Sequence, residues 1–202
     1  MSIDLLNRQD IKRRLDELGF LLFEDDSKPF NINLIGIRSE DATPNVFNDR
    51  FIAMWKYDGF WTEMNLKCTT EAGLYYLNNP LNNKGTAILK GDQQNRGMWA
   101  NGKHQGRYDA LVQVKPATVI RDFDRDSEFD YDSGREETGI FGINGHRSNE
   151  SVESLFVNKW SAGCQVMANP DEFKMLIKAT LYGAQHWGNS FTYTLLNEQG
   201  FR

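Results

Sequence analysis

Hydrophobic and polar residues alternate along most of the chain in short segments that predict β-strands joined by turns. Residues 51–57 and 60–70 flank the pair Asp58-Gly59, which predicts a hairpin with a two-residue turn. Further strands are expected at residues 31–38, 73–77, 85–89, 108–114, 117–123, 138–146 and 190–196. So many short strands, with turns about every ten residues, predict a mainly-β sandwich or barrel.

Helical spacing of apolar residues occurs near both ends of the chain. In residues 4–18 an apolar face recurs among charged residues, formed by Leu5, Ile11, Leu15 and Leu18. Pro170 is suited to the first turn of a second helix, because its missing N–H needs no partner there. The expected apolar face of that helix consists of Phe173, Leu176, Ile177 and Leu181. We therefore predict an N-terminal helical extension over residues 1–30 and one domain over residues 31–202.

The composition narrows the classes of function that this chain can have. A net charge of −5 over 202 residues argues against broad binding of nucleic acid or anionic membrane. Two cysteines, Cys68 and Cys164, are too few for a disulfide framework, and the three histidines lack the close spacing of a zinc site. Cys68 lies in a predicted strand and is expected to be an inert buried thiol. We expect no metal and no cofactor.

An acidic segment between residues 122 and 132 has the spacing D-x-D-x-D at its start. This spacing is similar to the first half of a calcium-binding loop. The glycine at loop position six and the glutamate at position twelve are absent, however. We therefore interpret the segment as a solvated acidic loop.

The segment Gly142–Met167 contains the residue types of a cysteine-nucleophile site. Cys164 follows two small residues, Ala162 and Gly163, which let a substrate carbonyl approach the backbone. Nearby N–H groups stabilise a thiolate, and those of Gly163 and Cys164 can form an oxyanion hole. His146 follows a glycine-rich strand and is the candidate base. The residues alone leave open a buried structural cysteine with an incidental surface histidine.

This segment resembles the active-site signature of the L,D-transpeptidase (YkuD-like) catalytic domain. The signature is a histidine after a glycine-rich strand, a variable loop, and then Ser-x-Gly-Cys, here His146 and Ser161–Cys164. The resemblance implies an L,D-transpeptidase-like β-sandwich over residues 31–202. It also implies that Cys164 attacks an L,D peptide bond of a peptidoglycan stem, that His146 is the base, and that Ser161 orients the histidine or the loop.

Several positions depart from the family pattern. The family has an aliphatic residue and then arginine or asparagine after its cysteine, whereas this chain has Gln165 and Val166. Arg147 is a candidate to contact a substrate carboxylate in place of the missing arginine. Trp160, next to the signature serine, and His104, just before a predicted strand, are the other candidates for contact with substrate.

The resemblance implies peptidoglycan stem peptides as the partner and a thioester acyl-enzyme as the intermediate. The whole chain also resembles small cell-wall proteins of bacterial viruses and prophages, in blocks such as NLIGIRS and KGTAILKG. A virus gains more from cutting the wall than from crosslinking it, so we favour hydrolysis over transpeptidation. The alternatives are a catalytically inactive viral structural or wall-binding protein of the same fold, and a thiol protease with another substrate.

The first twenty residues are charged throughout and predict neither a signal peptide nor a membrane anchor. We therefore expect a protein made in the cytoplasm that reaches the cell wall after lysis or by another route outside ordinary secretion. The oligomeric state is not predicted by the sequence.

Overall fold

The computed structural model describes residues 3–202 and confirms a mainly-β fold. Eleven strands are present in this part of the chain. They are β1 (Asn33–Arg38), β2 (Asp49–Tyr57), β3 (Phe60–Thr69), β4 (Thr86–Leu89), β5 (Gln93–His104), β6 (Tyr108–Gln113), β7 (Ala117–Asp122), β8 (Arg135–Gly139), β9 (Gly145–Arg147), β10 (Gln165–Met167) and β11 (Phe191–Asn197). The helices are α1 (Arg8–Glu17), α2 (Leu74–Asn78) and α3 (Pro170–Trp187), with short 3-10 turns at Ile3–Leu5 and Glu198–Phe201.

Eight strands close into a barrel in the order β1-β11-β5-β6-β9-β10-β3-β2, and β2 pairs with β1 to complete it. Most pairs are antiparallel, but β1 with β11 and β9 with β10 are parallel. Of the two architectures that the strand pattern predicts, a sandwich or a barrel, these eight strands form the barrel, and the sandwich implied by the family resemblance is not confirmed. The closure depends on pairing between strands at opposite ends of the chain, which no local pattern reveals.

Stacked aromatic rings fill the barrel interior. The rings of Trp99 and Tyr193 lie 4.2 Å apart between centroids, and Phe51 stacks on Tyr193 at 5.7 Å. All three side chains are fully buried. An eight-stranded barrel leaves room for side chains but not for a channel, so these rings form a packed core.

The remaining strands form a second sheet in the order β4-β7-β8. Leu89 of β4 and Val119 of β7 belong to the same hydrophobic core as the barrel residues Phe51 and Trp99. The second sheet is therefore packed against the barrel and shares its core.

The two predicted terminal helices are present and pack on the barrel. Ile11 and Leu15 of α1 are buried in a cluster with Ile35 and Ile52. The side chain of Asn169 caps α3, accepting hydrogen bonds from the N–H groups of its first turn, and Pro170 begins the helix as predicted. Three of the four predicted apolar positions of α3 are buried, whereas Leu181 is 43% exposed. No helix within residues 3–202 combines the length and apolar character that a membrane span requires.

Four segments differ from the sequence-based prediction, one of them the three-residue strand β10 (Gln165–Met167), which was not predicted. Residues 73–77 were expected to form a strand but form α2, because the N–H of Gly73 bonds outside any sheet, to Ser161 O at 2.9 Å. The strand expected at 138–146 is interrupted between β8 and β9, since the N–H groups of Phe141 and Ile143 both bond to the side chain of Gln113. Strand β5 was not predicted because its sequence, QQNRGMWANGKH, is mostly polar.

Candidate active site

The predicted nucleophile and base are positioned by two neighbouring parallel strands. His146 lies in β9, and Cys164 directly precedes β10. The register pairs His146 with Val166 and Gly145 with Gln165, and Gln165 N donates to Asn144 O at 2.9 Å. Because parallel strands run in the same direction, Cys164 and His146 lie at the same end of this pair.

A tight turn held by Ser161 presents Cys164. The fully buried Ser161 hydroxyl donates to Cys164 O at 2.8 Å and accepts from the N–H of Gly163 at 3.1 Å. Ser161 therefore orients the cysteine loop, one of the two roles expected for it. The same contacts engage the Gly163 N–H, which was expected to hold an oxyanion.

Gly163 occupies a position that only glycine fits. Its φ is +119°, and a Cβ there would lie 1.9 Å from the carbonyl oxygen of Ala87. The backbone of β4 thus packs directly against the cysteine loop. The glycine of the Ser-x-Gly-Cys pattern is explained by this close approach.

The Cys164 side chain is half-buried and protonated in the resting site. Its Sγ donates to Gly142 O at 3.3 Å. Burial raises the pKa of the Cys164 thiol to about 11, and a hydrogen bond from the Asn144 backbone N–H lowers it only in part. Desolvation of the thiolate thus outweighs its stabilisation by the backbone N–H group, so the proton must leave Cys164 before or during any attack.

His146 is buried and neutral, with its tautomer fixed by the backbone. Its Nδ1 lies 2.8 Å from Arg147 O, a contact that requires the proton on Nδ1 and leaves Nε2 to accept a proton. The pKa of His146 is lowered to about 3, chiefly by burial and also by the neighbouring His104 and Arg147 side chains, while the hydrogen bond to the Arg147 carbonyl opposes this shift. A neutral imidazole has the protonation state of a general base.

Two side chains from the β5–β6 hairpin surround His146. The His104 ring stacks on the His146 ring at 4.0 Å between centroids, and Asn144 Nδ2 lies 3.2 Å from His104 Nδ1. The Tyr108 hydroxyl lies 3.2 Å from His146 Nδ1 and donates to Arg147 O at 3.3 Å. His104 thus belongs to this site. Tyr108 was missed, although it stands only four residues after His104 in the same hairpin.

The other two residues expected to contact substrate have different surroundings. The Arg147 guanidinium lies 4.2 Å above the Tyr108 ring and pairs with Glu150 at 3.3 Å, so its charge already has partners. Trp160 is 41% exposed and lines a groove with Tyr75 on α2 and with Lys159. Trp160 was predicted to contact substrate, but the sequence did not indicate that α2 forms the other wall of this groove.

Carboxylates of the acidic segment cluster at the end of β7 and in the loop between β7 and β8. Carboxylate oxygens of Asp122, Asp124 and Asp130 all lie within 4.8 Å of one another. Asp122 is only 1% exposed, so the interpretation as a solvated loop is wrong at this residue. Burial, together with the adjacent aspartates, raises the pKa of Asp122 to about 6.

Comparison of the chain with protein-family models, with curated proteins and with solved structures found no match.

Proposed function

We propose that the protein is a cysteine-dependent enzyme of peptidoglycan stem peptides, with Cys164 as nucleophile and His146 as base. The observation that carries this proposal is the pairing of β9 with β10, which places His146, whose Nδ1–H bonds to Arg147 O, on the strand next to the one that the half-buried Cys164 precedes. The likeness of His146 and Ser161–Cys164 to the L,D-transpeptidase signature supplies the substrate class.

Because the resting thiol carries its proton and the imidazole is neutral, the proton has to be transferred as the sulfur attacks. Cys164 Sγ bonds to the carbonyl carbon of the L,D peptide bond while its proton passes to His146 Nε2. The tetrahedral intermediate collapses when the leaving amine takes that proton, and a thioester remains on Cys164. Water or an amine then attacks the thioester and releases the thiol.

Two groups around this chemistry take roles that differ from our first expectation. Since the Gly163 N–H already donates to Ser161 Oγ, we assign the oxyanion to the N–H of Cys164. Arg147 O serves as the orienting acceptor for the imidazolium that forms, and Tyr108 donates to the same oxygen. His104, stacked on His146, excludes water from one ring face.

We favour water over an amine as the acceptor, which makes the enzyme a hydrolase. A transferase must hold a second peptide in near-attack geometry, whereas a hydrolase needs only a water near His146. The test is a competition in which a donor tetrapeptide is mixed with excess amine acceptor and the products are resolved by mass. Trimmed peptide as the main product supports hydrolysis, and a predominance of exchanged or crosslinked product contradicts it.

A second candidate is a wall-binding protein of the same fold without turnover. The observation that favours it is the resting pair, a thiol with a pKa of about 11 beside an imidazole with a pKa of about 3, which is far from an ion pair. Binding of stem peptides without any thioester on Cys164 would support this candidate.

A further inference from the structure

The groove beside the cysteine loop has a volume of about 740 Å³, within the usual range for binding sites of small ligands. One wall is the exposed face of α2, with Leu74 and Tyr75, and the other is the segment Asn158–Trp160. Both walls are tied to the loop that presents Cys164, because Gly73 N at the start of α2 donates to Ser161 O at 2.9 Å. Trp160 lies four positions before Cys164, a span of at most about 14 Å.

One cation lies in this otherwise uncharged groove. The Lys159 Nζ is 4.0 Å from the centroid of the Tyr75 ring, and the other lining residues are apolar or amides. Lys159 forms no ion pair with any residue from 3 to 202. The Asn158 Oδ1 accepts from Asn45 Nδ2 at 3.1 Å, which leaves the Asn158 amide hydrogens as donors. An unpaired ammonium beside amide donors has the complementary charge for a carboxylate.

The apolar part of the groove restricts the ligand further. Tyr75 and Trp160 are 42% and 41% exposed, so their rings offer apolar surface to a bound chain. Arg147 does not compete for the carboxylate, since its guanidinium is held between Tyr108 and Glu150. A peptide with aliphatic side chains and a free carboxylate matches this combination of aromatic faces, amide donors and one ammonium.

We propose that the groove between α2 and Asn158–Trp160 binds an anionic peptide, with Lys159 Nζ holding its free carboxylate beside Tyr75. The identification of that peptide as a peptidoglycan stem rests on the proposed function. Lys159 thus takes the role that the sequence suggested for Arg147.

The test uses full-length Cys164→Ala protein, so that binding is measured without chemistry. Two tetrapeptides, identical except that one carries a free carboxylate where the other carries a carboxamide, are titrated by calorimetry. The carboxylate form is expected to bind about fivefold more tightly, as for an exposed ion pair. Adding Lys159→Gln should reduce that preference to nearly one, and Tyr75→Leu should weaken both peptides. Lys174→Gln, which removes an exposed charge on α3, should leave the preference intact.

An unchanged preference in the Lys159→Gln protein, no preference in the parent, or no binding of either peptide would overturn the assignment of the groove. The thermal melting temperature checks that each variant is folded. Failure of the proposed function gives a different result. In that case no thioester forms on wild-type Cys164, while the carboxylate preference and its dependence on Lys159 persist.

Discussion

The two cysteines of this chain differ in their chemical surroundings, although Cys68 lies in β3 and Cys164 directly precedes the neighbouring strand β10. Cys68 is fully buried in β3, paired with Met167 of β10, and faces the carboxylate of Asp49. Cys164 precedes β10 by one residue, is half-buried, and has His146 on the adjacent strand. Burial raises the pKa of both thiols, so a low pKa does not distinguish them.

What distinguishes the two thiols is access and a neighbouring base. Cys68 has an acidic neighbour that opposes thiolate formation further. Cys164 lies in a turn, and the adjacent strand carries His146, whose Nδ1 contact with Arg147 O leaves Nε2 able to accept a proton. In the function that we propose, attack by Cys164 therefore depends on transfer of its proton to His146 rather than on a resting thiolate.

The largest expected effect comes from removing each thiol in turn. Cys164→Ala should abolish thioester formation and turnover, because no other group supplies the attacking sulfur. Cys68→Ala should retain turnover and lower the free energy of unfolding by about 1 to 2 kcal/mol through a small cavity. Turnover and chemical denaturation of both variants check this. Loss of turnover in folded Cys68→Ala protein would reverse the assignment.

The loop that presents Cys164 should be intolerant of a methyl group at Gly163. Gly163→Ala combines a positive φ with a Cβ 1.9 Å from Ala87 O, and should cost roughly 3 kcal/mol or more in unfolding free energy. The matched control is Gly59→Ala, which has φ +77° but open space around its Cβ and should cost about 1 kcal/mol. Equal costs at the two positions are incompatible with the packing of β4 against this loop.

The buried His146 should make stability sensitive to acid. Its folded pKa of about 3 lies below the unfolded value of about 6.5, so the unfolded chain binds more protons below pH 6.5. The contribution of His146 to stability is therefore present above pH 6.5 and is lost as the pH falls towards 3. Between pH 7 and pH 4 the wild type should lose on the order of 3 kcal/mol more unfolding free energy than His146→Gln. Parallel denaturation curves at both pH values would refute the burial of a neutral imidazole.

Acylation by the wild-type protein should show the same histidine in its pH profile. A base with a pKa of about 3 stays unprotonated, so the rate should hold nearly constant from pH 8 down to pH 5. The rate of thioester formation can be measured by quenching the reaction at set times and analysing the protein by mass spectrometry. A fall in rate centred near pH 6.5 would indicate a solvated histidine instead.

The smallest effect is expected at Tyr108. Tyr108→Phe removes the hydroxyl near His146 Nδ1 and Arg147 O but keeps the ring beneath the Arg147 guanidinium. Acylation should slow by about tenfold or less, the value of one neutral hydrogen bond. Tyr57→Phe, at an exposed position, is the control and should change nothing. A rate equal to wild type would show that the hydroxyl does not orient the imidazole.

Local patterns predicted the elements better than their assembly. The hairpin around Asp58-Gly59 was predicted by its turn residues, and the start of α3 by Pro170. Barrel closure joins β1 to β11, about 160 residues apart, and only three-dimensional packing decides that pairing. Strand β5 was missed because most of its residues are polar on both faces of the strand. Trp99, in the middle of β5, is nevertheless a core residue.

The candidate site was predictable in its centre but not in its surroundings. His146 and Cys164 were found because they lie in one contiguous signature, which the β9–β10 pair brings together. Tyr108 and Lys159 were missed, since their positions depend on the β5–β6 hairpin and on α2, the latter expected to be a strand. The protonation states of Cys164 and His146 could not be predicted from the sequence either, because they depend on how deeply the fold buries each side chain.

The proposed role of Cys164 as nucleophile is tested most directly by locating the thioester. Wild-type protein is incubated at pH 7 with a peptidoglycan stem tetrapeptide, acid-quenched, digested and mapped by mass spectrometry, alongside His146→Gln. We expect an acyl adduct on the peptide that contains Cys164 and none on the peptide that contains Cys68. In the His146→Gln protein the adduct should form at least about a hundredfold more slowly. An adduct on Cys68, equal rates in both proteins, or no adduct under any condition would contradict the proposal.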